Sequence, residues 1–570
     1  MQLSYLRQLP AGIRELVSRR SGVCRAGCAH AVWLSRAGAG GSGGGGGGSV
    51  QQRRGLTIKQ LDQGRQGLIS APPDRERVVI LGSGWAGYTV ARQLDSKKYQ
   101  AVVVSPRSYF AFTPLLASTS VGTLEFRTAL EPVRSKRSNV SFFQGWADAV
   151  DFKKGTVTIE EAVDDPTQGL AASATERGKG GKEREVEKRA EGKKGKMFDL
   201  PYDKLVIAVG CYSQTFGTPG IREHALFLKD VADARKIRNR ILACFEAAAL
   251  PTTSDDMRKV LLNFAVVGGG PTGIEFSAEL HDIIHEDLVQ IYPELIQFTK
   301  ITVYDVADKV LPMFDEKLAT YCMETFKREG IAIKTKHHVE GLRPGPPKDS
   351  GISTAESEHA CFTLNLKEEG EVGAGMVVWS TGLMNNPFVA KALRQITELP
   401  EDGVKLLESG SSSDASKPVQ WEIKKDVKSG SVMTDDRLRI RLEAQGDAED
   451  KPQAILENVY ALGDCAILEG TTYPATAQVA SQKAVWLAKR LNKNDLEKSG
   501  FTYKNLGVMA YIGNWKAVVQ GGSGGNISGR AAWILWRGAY LTKSVSIRNK
   551  ILIPMYWFIN WMFGRDISRF

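Results

Sequence analysis

Cysteine is scarce and scattered in this 570-residue chain. Of seven, Cys24 and Cys28 lie near the start, and Cys211, Cys244, Cys322, Cys361 and Cys465 form no CxxC and no close pair. That excludes a disulfide scaffold and makes buried, inert thiols the default reading of each. Long apolar runs are missing too. The longest in residues 530–570, Ile551 to Phe563, is broken by Pro554 and Asn560. A spanning helix needs about 20 predominantly apolar residues. No DxDxDG calcium loop occurs, and no metal site is expected. A basic body is also lacking, although the formal net charge is +11. Residues 1–70 hold ten Lys/Arg against two acids, and residues 530–570 hold seven against one, so the intervening body is slightly acidic. A nucleic-acid partner is therefore not expected.

What is present begins with an Arg-rich, Ser- and Gly-containing, acid-poor leader at 1–70, the composition of a mitochondrial transit peptide. Ordered pattern starts at RVVILGSGWAGYTVARQL, where an apolar run (Val78 to Leu81) meets a glycine turn and then a helical period. AVVVS at Ala101 reads as the next parallel strand, and YDKLVIAVG (Tyr202 to Gly210) as another buried one. Between them, 160–196 is a mixed-charge stretch low in aromatics and reads as an insertion. The strand–turn–helix unit then recurs at FAVVGGGPTGIEFSAEL (Phe264 to Leu280), followed by the strands ITVYD and MVVWSTG. Ser-, Asp- and Lys-rich stretches near 400–432 and 443–453 read as insertions, NVYALGDCA as strand and turn, and ATAQVASQKAVWLAKRL as a helix.

Gly82-x-Gly84-x-x-Gly87 and Gly268-x-Gly270-x-x-Gly273 each follow a strand and open a helix. The first glycine permits the tight turn, the second lets backbone approach a pyrophosphate, and the third allows close helix–strand packing. One such motif is weak evidence; two in the same context predict two dinucleotide sites. Asp305 ends the strand after the second motif. A carboxylate there accepts from ribose hydroxyls and repels a 2′-phosphate, which favours NADH. The first site has Ser105 where an acid would stand, so its ribose contact is open. Gly463-Asp464 is suited to the ribityl or pyrophosphate region of a flavin.

Together, GSGWAGYTV, SPRSYFAFTPLLAS, VVGGGPTGIEFSAEL, VWSTG, YALGDCA and YPATAQVASQKA resemble the type II (alternative, rotenone-insensitive) NADH:ubiquinone oxidoreductases of fungal and plant mitochondria. The resemblance implies an α/β chain with two Rossmann-like dinucleotide-binding domains and a C-terminal membrane-associating segment. The boundaries expected are 71–240 and 383–500 for a two-part FAD domain, 241–382 for the NADH domain, and 501–570 for the membrane segment. It implies FAD at Gly82, Gly84, Gly87, Thr113 and Asp464. It implies NADH at Gly268, Gly270, Gly273, Glu275 and Asp305, with Gly382 at the junction. Ubiquinone would sit near Gln478 and Gln482, which are four apart and share one helix face. The family often has His where this chain has Ser481, so a proton role for that position does not carry over. The implied activity is hydride transfer from NADH to FAD and then two electrons to ubiquinone, without proton pumping.

Residues 530–570 combine four Trp with Tyr, Phe, Lys and Arg, a composition suited to lying in a bilayer interface rather than crossing it. The expected location is the mitochondrial inner membrane, peripheral; the leader carries no apolar stop-transfer run, which favours the matrix face. A homodimer is compatible with the resemblance. Thiol–disulfide flavoenzymes need a cysteine pair beside the flavin that this chain lacks. The rival from another class is an apoptosis-factor-like NADH-binding flavoprotein with a signalling role, which quinone-dependent turnover would separate.

Overall fold

The computed structural model describes residues 74–135, 139–163, 195–352, 361–393, 399–400, 402–407, 420–445, 451–522 and 525–569. The expected leader lies outside them. The apolar runs read as strands are buried on both faces, which demands cover from crossover helices. In β1 (Glu76–Leu81), Val78 to Leu81 are all at most 1% exposed. Along the chain follow α1 (Trp85–Gln93), β2 (Tyr99–Ser105), β3 (Ser141–Asp151), β4 (Lys204–Ile207) and α2 (Val231–Ala249). A second series comprises β5 (Asn263–Val267), α3 (Pro271–Ile283), β6 (Lys300–Tyr304), β7 (Ala332–Lys334) and β8 (Met376–Trp379). The chain then returns through β9 (Gln453–Ala461) and α4 (Ala477–Lys493).

In the first sheet β9, β4, β1, β2 and β3 lie side by side and parallel, with Val78 opposite Ala101 and Ile80 opposite Val206. In the second, a short strand Leu226–Phe227, β8, β5, β6 and β7 are likewise parallel. β1–α1–β2 and β5–α3–β6 are thus one unit built twice, as the repeated motif implies. The chain leaves the first sheet through Cys211–Ser213 and comes back through Leu383–Asn385, and these two strands pair antiparallel.

The insertion at 160–196 joins two antiparallel neighbours, Thr156–Glu161 and Met197–Pro201, with Glu160 opposite Met197. Its ends are therefore sheet; residues 164–194 lie outside the described set. The stretches 400–432 and 443–453, read as insertions, contain strands where they are described; residues 401, 408–419 and 446–450 lie outside the described set. Val404–Leu407, Trp421–Ile423, Val432–Thr434 and Arg439–Ala444 are strands that widen the first sheet beside β9, and Trp421 and Ile423 are buried. These strands are three to six residues long, too short for alternation to stand out against polar connections.

The C-terminal segment, expected to associate with a membrane, packs against the rest of the chain. β10 (Val508–Tyr511), β11 (Ala517–Gln520) and β12 (Asn526–Gly529) form an antiparallel sheet, and α5 (Arg530–Lys543) and α6 (Ile547–Phe563) follow. α5 buries Ala532 and Trp536, and α6 buries Asn549 and Ile553. Asn549 donates to Glu131 Oε1 (2.9 Å) and to the Leu130 carbonyl (3.2 Å), fixing α6 to a strand of the first domain. No helix among the described residues is long and apolar enough to cross a membrane.

Candidate functional site: two glycine turns and the groups that face them

The two turns are stereochemically alike, glycine by glycine. Gly82 and Gly268 have φ of +107° and +114°, the left-handed region that L side chains avoid. A Cβ on Gly82 would lie 2.3 Å from the Ala208 carbonyl oxygen. Gly84 and Gly270 have nothing within 4 Å of the space a Cβ would fill. Gly87 and Gly273 sit so close to their own turns that a Cβ would come within 2.0 Å of the Gly82 and Gly268 carbonyl oxygens. Gly84 and Gly270 are also the N-caps of α1 and α3, and neither carries a side-chain cap. Each helix therefore presents free N–H donors and its positive dipole end over an open space, the requirement for holding a phosphate.

The first turn opens into a cavity of about 420 Å³ whose walls include Gly82, Gly84, Thr113 and Asp464. Gly87 is not in that wall, since its role is packing. Four of the five residues expected around FAD are thus brought together. Thr113 Oγ1 accepts from Trp85 Nε1 at 3.0 Å. Ser105, at the place an acid would occupy, turns inward and shares a 2.9 Å hydrogen bond with Ser83 Oγ, so it braces the glycine loop. Behind it Arg107 is ion-paired with fully buried Asp230, which also accepts from Tyr109 OH at 2.8 Å. That carboxylate is the side-chain cap of α2, so the loop from Ser105 to Tyr109 is anchored to that helix.

At the second turn, Asp305 follows β6 directly. Its carboxylate accepts from the Gly269 and Ala307 backbone N–H groups, which holds it against the loop between Gly268 and Gly270. Gly382 has φ of +58°, and a Cβ there would lie 2.8 Å from the Phe216 ring. Glu275 faces elsewhere: its Oε1 accepts from Tyr511 N (3.1 Å) and Trp536 Nε1 (3.0 Å) of the C-terminal segment. Burial pushes this carboxyl up to about 8.

Gln478 and Gln482 do share one face of α4, and both side chains hold the segment that enters β10. Gln478 accepts from Tyr503 OH (2.6 Å) and Leu506 N (2.9 Å) and donates to the Gly507 carbonyl (3.1 Å). Gln482 exchanges two bonds with the Lys504 backbone, at 2.8 and 3.0 Å.

A family described as pyridine nucleotide-disulphide oxidoreductase matches residues 76–410, and the NDH2 C-terminal domain matches 505–566. A protein named as a probable NADH dehydrogenase of Dictyostelium discoideum is 34% identical over 87% of this chain and 92% of its own length. The mitochondrial external alternative NADH-ubiquinone oxidoreductase of Yarrowia lipolytica is 32% identical over 88% of this chain and 82% of its own. The chain belongs to the type II NADH:ubiquinone oxidoreductases. The fold agrees with the solved structure of NDH2 from Plasmodium falciparum in complex with NADH: TM-score 0.65 at 22% identity, covering 86% of this chain and 99% of that one.

Unlike the disulfide enzymes that share its nucleotide folds, this type II chain has one cysteine among the described residues lining its first cavity. Cys211 donates to Asp464 Oδ2 at 3.0 Å and accepts from Lys229 Nζ at 2.9 Å. Burial pushes the thiol up to about 12, so it is no nucleophile. Its contact with Asp464 was not foreseeable, because 253 residues separate them. Cys244, Cys322, Cys361 and Cys465 are buried, as expected.

Proposed function

We propose that this chain transfers a hydride from NADH to FAD and then two electrons to membrane ubiquinone, without pumping protons. The observation that carries this reading is the pair of glycine turns, identical in backbone design and ending in uncapped helix N-termini, on a chain of this family. FAD, when bound, supplies the two-electron chemistry. The residues of the chain bind and orient. The α1 N-terminus with Gly82, Gly84 and Gly87 receives the flavin pyrophosphate, and Thr113 and Asp464 orient the remainder. The α3 N-terminus with Gly268, Gly270 and Gly273 receives NADH, Asp305 takes its ribose, and Gly382 lies toward the nicotinamide end, whereas Glu275, expected there as well, is held by Tyr511 and Trp536 of the C-terminal segment. For ubiquinone we retain Gln478 and Gln482, because Ala477 and Ala480 on the same helix line the flavin cavity.

The membrane contact is assigned to α6. Ile547, Ile551, Met555, Phe558 and Met562 recur at helical spacing and are each at least 42% exposed. A peripheral helix of this kind presents rings and aliphatics to the acyl boundary while cations meet headgroups. Relatives carry mitochondrial names of both external and internal type. The matrix face is our proposal, tested by protease protection in intact against swollen mitochondria. The signalling alternative is not favoured.

The test follows the flavin spectrum without oxygen. NADH should bleach it, and a short-chain ubiquinone should restore it within the same rate regime as turnover. Bleaching without recovery would remove the quinone from this reading and bring the signalling alternative forward.

A further inference from the structure

One buried charge beside the flavin cavity, Lys483, forms no direct ion pair among the described residues. Lys483 on α4 is 2% exposed. An ammonium has three donors, yet its hydrogen bond among the described residues is a long one, 3.5 Å to the Ala466 carbonyl. Burying a cation so poorly partnered is costly unless something compensates it. Desolvation brings Lys483 down to about 8. Its side chain lines a second cavity, of about 960 Å³, that shares Gly463, Asp464, Ala475 and Ala480 with the flavin cavity. Asp464 and Cys465 are the titratable groups that act on it, and Asp464 is already engaged by the Cys211 thiol.

We propose that Lys483 is a positioning charge for the reduced flavin, stabilising from behind the Gly463–Ala466 loop the negative charge that hydride transfer leaves on the ring. This rests on the flavin reading at Asp464. A hydride brings two electrons and one proton to a neutral ring, which becomes an anion while NAD⁺ departs. Passing two electrons and that proton to ubiquinone, with a second proton from solvent, restores neutrality. A fixed cation near Asp464 favours the anionic half of the cycle, so the residue acts on the reduction equilibrium rather than on binding of the oxidised cofactor.

The experiment uses full-length holoenzyme in detergent. Lys483→Met and Lys483→Gln should hold FAD at one per chain. Their reduction equilibrium against a reference dye should shift about tenfold toward the oxidised form, about 30 mV for a two-electron couple. Lys483→Arg should keep the wild-type potential. In the wild type itself, the dependence of potential on pH should steepen above pH 8, from one proton to two per electron pair, because the ammonium regains its proton when the ring becomes an anion. Full FAD content with an unshifted potential, or an unchanged slope from pH 7 to 9.5, overturns the proposal alone. Wild-type protein purified without FAD overturns the flavin reading along with it.

Discussion

At the scale of single residues, each glycine turn divides its work so sharply that substitutions should separate. Gly84→Val enters open space, so the chain should fold but lose FAD, seen as a colourless product of near-normal secondary structure. Gly87→Ala drives a Cβ into the Gly82 carbonyl and should cut soluble yield severely. Gly270→Val should keep the yellow colour and lose bleaching by NADH; a variant still bleached at wild-type NADH concentrations would count against the second site. Glu275 gives a pH signature. Unfolded, its carboxyl ionises above about 4.5; folded, burial holds the proton to about 8. Across that window the unfolded chain binds fewer protons, so wild-type stability falls as pH rises, by on the order of 1 kcal/mol per unit. Glu275→Gln escapes that loss. Its melting temperature should match wild type near pH 4.5 and exceed it at pH 8, and a gap independent of pH would refute the assignment. The left-handed turns at Gly82 and Gly268 and the place of Asp305 at its strand end were legible in the sequence because they depend on local backbone and on chain order. Lys483 was not: an ammonium in a helix reads as solvent-facing until packing shows it buried.

At the scale of elements, strands buried on both faces announced themselves as apolar runs, and the helices after glycine turns by their period. α4 was equally clear, N-capped by Thr476 and closed by Asn494 in the left-handed region. What stayed hidden was the partner of its glutamine face, since the bonds from Gln478 and Gln482 reach backbone atoms more than twenty residues on. The aromatic tail was half legible. Composition pointed to an interface, but Trp536 is buried against Glu275, and Arg537 is held between Trp533 and Trp557, with ring centroids 4.2 and 4.3 Å away. The part assigned to lipid in our proposal is the exposed α6 stripe. Ile551→Glu with Phe558→Glu should lower binding to anionic vesicles at least tenfold while leaving short-chain quinone turnover in detergent intact. Retained vesicle binding with a change from dimer to monomer would reassign the stripe to a second copy of the chain.

At the scale of the whole molecule, the C-terminal segment closes the nucleotide domains. Glu275, Glu279 and Asp282 line one face of α3; Trp536 bonds Glu275, and Tyr511 OH bonds Asp282 at 2.5 Å. Arg565, 9% exposed at its side chain, binds Glu286, Asp287 and Thr123. Removing one partner of such a buried pair strands the other charge. Arg565→Ala should therefore cost about 3 kcal/mol, read as a lower urea midpoint with unchanged slope, and Arg565→Lys should recover part of it. A midpoint within error of wild type would show the pair to be dispensable. Domain order was legible from the repeated motif, whereas this closure was not, because its bonds join residues more than two hundred positions apart.

The place of Arg565 in that closure bears on how the chain is made. During synthesis α3 leaves the ribosome long before Arg565, so its carboxylate face must wait, exposed, while the second half of the chain is made. A stop codon before position 565 would remove few residues yet leave Asp287 without its cation and Asp566 absent from Arg238. Such a late truncation should be handled by the cell as a misfolded chain rather than as a nearly complete enzyme.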